Sequence, residues 1–287
     1  MPDEVIEEHA AGCREAALAG WQVLTAAGSA LDAVEAAVRS MEDNPTYDAG
    51  VGSHLTADRR VELDAAVMDG SDLSCGAVAS VRCIRNPVSL ARLVMASPQV
   101  LIVGEGAMRF ADEHGVRQIP EADLMVRREV EFWERLRAER GLFVPTEEKD
   151  APADTVGAVA IDARGNIAVA TSTGGTPYKY PGRVGDCPLI GAGSYADNAA
   201  GGAATTGRGE DVVRTVMGKR CVDLMGAGRS AQEAASVVVQ ECVQRVQGRV
   251  GIIAVDRRGT TGRANSTTRM STSQMSPELR EPITRVA

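Results

Sequence analysis

Residues 154–175 constrain this chain more tightly than any other stretch. Two short apolar runs, 156–161 and 167–172, flank Asp162-Ala163-Arg164-Gly165-Asn166, and Thr173-Gly174-Gly175 follows. Apolar run, Gly-Asn-containing turn, apolar run is the pattern of a β-hairpin. The segment before it, 140–153, is rich in Glu, Lys, Asp and Pro, so Thr155 stands where a polar stretch meets a strand. A β-branched residue opens a strand well, and that reading alone gives Thr155 no chemistry.

Composition narrows the function classes. With 44% hydrophobic residues among 287, the chain can bury a substantial core, and with only 3% aromatics Ala, Val, Leu and Ile must fill it. A net charge of −8 argues against a nucleic-acid surface and against anionic membranes. Cys13, Cys75, Cys83, Cys187, Cys221 and Cys242 are scattered without a C-x-x-C pair, so they read as buried thiols rather than a disulfide framework. His9, His54 and His114 lack zinc spacing. Gly191-x-Gly193 lacks the rest of a dinucleotide fingerprint, and no phosphate-loop Gly-Lys-Ser/Thr or serine elbow occurs. The acidic N-terminus shows no apolar leader and no run approaches the roughly 18 residues of a membrane span, so a cytoplasmic location is expected.

Helical spacing of Ile6, Ala10, Cys13, Ala17, Trp21 and Leu24 predicts a first helix, and Ser29 is placed to cap a second that runs to Met41. Residues 51–56 and 61–68 read as a hairpin, 75–83 as a strand, and 87–95 as a helix with Pro87 in its first turn. Residues 100–103 read as a short buried strand, with helices over 104–114 and 121–138 after it. Beyond the central hairpin come a strand at 201–206, helices over 210–225 and 230–246, a last hairpin over 249–265, and a polar, frayed tail from Ser271. This order predicts a layered α+β fold.

Three further motifs follow the hairpin, Gly182-Arg183-Val184-Gly185-Asp186-Cys187-Pro188, Gly191-Ala192-Gly193-Ser194-Tyr195-Ala196-Asp197-Asn198 and Thr205-Thr206-Gly207-Arg208-Gly209-Glu210, and a fourth, Asp48-Ala49-Gly50, lies upstream. Together with Asp154-Thr155-Val-Gly-Ala-Val they resemble the plant-type L-asparaginase and isoaspartyl peptidase family of N-terminal nucleophile hydrolases. The resemblance, which spans roughly residues 15–270 by its motif order, implies a four-layer αββα sandwich. It also implies one domain over 1–287, cleaved by itself into 1–154 and 155–287. The freed Thr155 would be the nucleophile. Its hydroxyl needs a base, and a new α-amino group, with a pKa of roughly 7.7–8.0, would supply one on the same residue.

The resemblance assigns further roles residue by residue. Thr173 would hydrogen-bond to the nucleophile, and the Thr206 hydroxyl and Gly207 N–H would form the oxyanion hole. Arg183 would grip the substrate α-carboxylate and Asp186 its α-ammonium, with Gly207 and Gly209 beside them. Backbone carbonyls of Met41, Glu42, Tyr47, Ala49, Gly50 and Gly52 would wind around a structural sodium ion. The expected reaction is release of L-aspartate from β-aspartyl dipeptides and L-asparagine by a homodimer of processed protomers, with no organic cofactor. A glycosylasparaginase is the rival enzyme, and a non-catalytic binding or assembly module the rival of another class.

Two departures bear on these expectations. The family carries Asn where this chain has Asp48. Relatives also open with a strand ending in a His-Gly-Gly-like loop, which residues 1–287 do not supply ahead of the first helix.

Overall fold

The computed structural model describes residues 3–140 and 155–286. The segment 141–154, with the expected cleavage-site residue Asp154, lies outside them. In chain order the elements are α1 (Asp3–Thr25), α2 (Ala30–Glu42), β1 (Leu63–Asp69), β2 (Cys75–Val81), α3 (Pro87–Met95), β3 (Leu101–Val103), α4 (Gly104–Glu113) and α5 (Arg127–Arg140). After the segment come β4 (Val156–Ile161), β5 (Ile167–Thr173), β6 (Ser194–Asp197), β7 (Gly201–Gly207), α6 (Gly209–Thr215), α7 (Met217–Gly226), α8 (Ala231–Val246), β8 (Val250–Asp256), β9 (Thr261–Asn265), β10 (Ser271–Gln274) and β11 (Ile283–Val286).

Two sheets lie face to face. One has the order β3-β2-β1-β5-β4, the other β6-β7-β8-β9. Helices α2 and α3 cover the outer face of the first, α7 and α8 that of the second, so the molecule is the expected αββα sandwich. Strand β5 shows why. Its Ile167 and Val169 point between the sheets, packing with Met68, Ala196 and Ala204, while Ala168 and Ala170 point to the helices. Apolar residues on both faces make a central strand, and the small alanines let α2 come close. Ser29 caps α2 with a full capping box, as does Ser230 for α8. The β4–β5 hairpin is paired from Val156↔Ser172 to Ile161↔Ile167, with Asp162 Oδ1 accepting the N–H groups of Arg164 and Asn166 in the turn.

The sheets come close together where β4 begins. A Cβ at Gly157 would lie 3.1 Å from that of Ala204 on β7. A larger residue there would force the sheets apart, so Gly157 keeps the start of β4 beside the end of β7.

Five local expectations are corrected. Residues 51–56 and 61–68 share only the Leu55–Val61 bridge, because the loop's backbone groups go elsewhere: Gly52 N–H donates to Leu124 O and His54 N–H to the Asp48 carboxylate. The 100–103 run is an exposed edge strand, with Val103 52% exposed, since β3 pairs only with β2. The 121–138 helix divides into a 3-10 turn, Glu121–Asp123, and α5. The 210–225 helix breaks at Val216, which adopts φ 48. That kink turns α7 so that Gly218 and Lys219 N–H donate to the carbonyls of Ala192 and Gly191, satisfying its first turn. The tail from Ser271 is a β10–β11 hairpin packed on α1, its polar residues paired across the strands, as Ser273 with Thr284.

Candidate active site

The start of β4 sets Thr155 one step beyond the Val156↔Ser172 pair, level with the end of β5. Its Oγ1 donates to Thr173 Oγ1 at 3.3 Å. The Thr173 hydroxyl donates in turn to Asp48 Oδ2 at 3.3 Å and accepts the Gly175 N–H at 3.0 Å. One donor and two lone pairs are thereby all used. Since its proton goes to Asp48, Thr173 can only accept from Thr155, and the direction of the chain is fixed. Asp48 is buried, its Oδ1 accepting the His54 N–H at 2.7 Å. Burial pushes its carboxyl up to about 6. His54 is itself held by Glu129 of α5 at 2.6 Å, which ties the loop before β1 to the last helix before residue 141.

Thr155, Thr206 and Gly207 line one cavity of about 140 Å³, which Tyr47, Arg269 and Met270 also border. The Thr206 hydroxyl is buried and, among the described residues, has no hydrogen-bond partner. A buried polar group without a partner is costly, and this one lies in the wall that faces Thr155. The neighbouring Thr205 points to the other side of β7, where its hydroxyl donates to Asp186 at 2.8 Å.

Arg183 and Asp186 belong to the loop between β5 and β6. Asp186 is buried, and burial pushes its carboxyl up to about 6 despite the Thr205 hydrogen bond. Glycines keep the space around the pair clear. A Cβ at Gly209 would lie 2.9 Å from Arg183 Nη2 and 3.0 Å from Asp186 Oδ1, and one at Gly185 would lie 2.8 Å from Nη1. Gly209 therefore borders the gap between the cation and the carboxylate. Through Gly175, whose N–H bonds Thr173 and whose Cβ would lie 3.4 Å from Arg183 Nη1, this loop reaches the threonine chain.

Sequence reading missed several groups here. Lys179 is buried and donates to the Glu62 carbonyl at 2.9 Å, and the Glu62 carboxylate accepts the Gly182 N–H at 2.8 Å, so the two fix the loop that carries Arg183. Asp64 is buried with Oδ2 unpartnered among the described residues, and burial raises its carboxyl. Glu210, at the start of α6, pairs with Arg183. The only sequence signal for Glu210 was its place at the end of the Thr205–Glu210 motif, with nothing to indicate its partner.

Among the described residues no three His, Cys, Asp or Glu side chains cluster as metal ligands. The 41–52 loop offers carbonyls instead. A Cβ at Gly52 would come 2.4 Å from Pro45 O and 2.9 Å from Tyr47 O, so the glycine leaves a hollow rimmed by carbonyl oxygens. Carbonyl oxygens are donors that hard cations take, and of the six carbonyls expected around a sodium ion those of Tyr47, beside Gly52, and Glu42, beside Gly50, border these glycines. Glu42 O, at 2.8 Å from Val51 N, already accepts one hydrogen bond and retains a second lone pair. No helix among the described residues is long and apolar enough to cross a membrane.

Known proteins are similar to this chain over most of its length. The asparaginase family model matches residues 1–281. The isoaspartyl peptidase/L-asparaginase of Mus musculus is 44% identical over 251 residues, 86% of this chain and 76% of that protein. The human protein of the same name is 43% identical over 249 residues, 86% of this chain and 80% of its own. The plant-type L-asparaginase of Pyrococcus abyssi is 41% identical over 297 aligned residues, covering 98% of this chain and 94% of that one. With the family model matched over residues 1–281 and relatives 41–44% identical over most of their length, the chain belongs to the asparaginase family.

Proposed function

We propose that the protein hydrolyses the side-chain amide of β-aspartyl dipeptides and of L-asparagine, releasing L-aspartate, with Thr155 as nucleophile. The observation that carries this reading is the directed chain from Thr155 to Thr173 to Asp48, whose first residue lines one cavity with Gly207 and with Thr206, the Thr206 hydroxyl having no partner among the described residues. The names of the relatives support the substrate class and do not favour a glycosylasparaginase or a non-catalytic module.

Self-cleavage between Asp154 and Thr155 comes first in this reading. Thr155 Oγ attacks the Asp154 carbonyl carbon, the amide nitrogen leaves as the α-amine of Thr155, and water hydrolyses the resulting ester. The chain then consists of 1–154 and 155–287. The freed amine takes the hydroxyl proton when Thr155 attacks the substrate's side-chain carbonyl. The Thr206 hydroxyl and Gly207 N–H stabilise the tetrahedral oxyanion, an effect typically worth about 3–4 kcal/mol. The leaving amine is protonated as the C–N bond breaks, and water then releases aspartate from the Thr155 ester. Arg183 holds the substrate α-carboxylate and Asp186 the α-ammonium, in the space that Gly185 and Gly209 keep open. A sodium ion in the 41–52 loop, held by the carbonyls of Met41, Glu42, Tyr47, Ala49, Gly50 and Gly52, would supply rigidity alone. A homodimer of processed protomers in the cytoplasm completes the proposal.

Two results test it. Processed protein should release aspartate from β-Asp-Leu and not from α-Asp-Leu, by a factor of about 10² or more. An α-linked peptide has its α-carboxyl tied up in the amide, which leaves the Nη1–Nη2 edge of Arg183 without its carboxylate, Glu210 holding only the Nε–Nη2 edge. Equal rates on both dipeptides would overturn the binding geometry. The second result concerns pH. Ionised Asp186 is the form that binds an ammonium, so kcat/KM for L-asparagine should fall as pH drops through about 6, the value of the free enzyme's carboxyl. Stability should move the other way. A carboxyl raised from 3.8 to about 6 by burial stabilises the fold in acid and loses that contribution as pH rises through about 6, up to about 3 kcal/mol. Asp186→Asn should remove the Asp186 share of both dependences and leave that of Asp48, which burial raises to the same value, and a kcat/KM profile unchanged by that substitution would remove Asp186 from the site.

A further inference from the structure

In this structure the Arg183 guanidinium is already held by a carboxylate. Nε donates to Glu210 Oε1 and Nη2 to Glu210 Oε2, each at 2.9 Å. A guanidinium presents two bidentate edges: a side-on edge of Nε and Nη2, and an end-on edge of Nη1 and Nη2. Glu210 occupies the side-on edge. Three N–H bonds remain on the two Nη atoms, and it is around these that side chains are missing, at Gly185 and Gly209. The Arg183 side chain is 16% exposed and that of Glu210 is 50% exposed, so the carboxylate approaches from the solvent side and takes only the side-on edge.

We infer that Glu210 is a positioning residue: it fixes the plane of the Arg183 guanidinium so that the end-on edge is presented to the α-carboxylate of the substrate. The inference rests on the substrate reading given above and adds to it the residue that orients its main anchor. Arg183 sits in a glycine-rich loop, and its long side chain has many rotamers to lose when it binds. Glu210 removes that freedom before substrate arrives. The opposite role, a carboxylate that competes with the substrate for Arg183, makes the reverse demand on affinity, and the two are separated by one measurement.

The experiment compares wild type, Glu210→Gln and Glu210→Ala after processing, with L-asparagine and β-Asp-Leu as substrates and calorimetric titration of L-aspartate as a binding readout. Glu210→Ala should raise KM and the aspartate Kd together by about tenfold while kcat stays within about twofold. Glu210→Gln keeps one acceptor and should lie between. In an Arg183→Lys background, Glu210→Ala should add less than about twofold, because an ammonium has no plane to fix. The half-exposed carboxylate leaves no cavity, so thermal midpoints should change little. Unchanged or lowered KM and Kd in a folded Glu210→Ala protein would overturn the inference and leave the substrate reading standing. A processed wild type that neither turns over these substrates nor binds aspartate would overturn that reading, and this inference with it.

Discussion

Thr155→Ala is expected to give a chain that remains intact on incubation and turns over neither L-asparagine nor β-Asp-Leu, a loss of at least about 10⁴-fold in kcat. The size of the effect follows from the double use of one atom. Thr155 Oγ attacks the Asp154 carbonyl to free its own amine and then attacks the substrate carbonyl, so its removal blocks both steps. Alanine takes the strand start without strain, and the only described side-chain hydrogen bond lost is the 3.3 Å contact to Thr173. Thr173 keeps Asp48 and the Gly175 N–H. The variant should therefore fold like wild type, with a thermal midpoint close to that of unprocessed protein. Residual turnover within tenfold of wild type would assign the chemistry to another group.

Arg183→Lys carries the second large effect. The kcat/KM for L-asparagine should fall about 100-fold, mostly through KM, while self-cleavage continues at close to the wild-type rate. Lysine keeps the charge but offers a single ammonium where the guanidinium offers two parallel N–H bonds, a difference of about 2–3 kcal/mol at a desolvated carboxylate. Self-cleavage is spared because the scissile carbonyl of Asp154 belongs to the chain and needs no anchor to reach Thr155. A loss of cleavage equal to the loss of turnover would show that Arg183 maintains the fold of the 174–186 loop rather than gripping substrate.

The parts of this molecule that were legible in the sequence are those written in short-range patterns. The β4–β5 hairpin declares itself through two apolar runs and a turn with Asp162 and Gly165 in place, and α2 and α8 through their serine caps. Because the motif carrying Thr155 is local, its place at a strand start beside the end of β5 was readable too. What was not readable depends on distance along the chain. Asp48 and Thr173 are 125 residues apart, and nothing near Asp48 says that its carboxylate will accept that hydroxyl. Glu210 looks like any acidic residue in a first helical turn until the fold brings Arg183 to it. The break at Val216 escaped notice because a β-branched residue is the last expected in a left-handed conformation. It is held there by the carbonyls that receive α7. The sequence predicts a frayed tail where the C-terminal hairpin lies because its serines and threonines look like loop residues, and only pairing with each other and packing on α1 makes them strands. The apolar run of β3 misled in the other direction, since a short apolar stretch belongs equally to a core and to an exposed edge.

The central claim, that Thr155 is a nucleophile released by the chain itself, is tested most directly by intact mass and N-terminal sequencing of purified protein after prolonged incubation, with Thr155→Ala alongside. The expected result is two fragments in wild type, one of them beginning Thr155-Val156-Gly157-Ala158, and a single uncut chain in the variant. An uncut wild-type chain, or one cut in the same place when Thr155 is alanine, would contradict the claim.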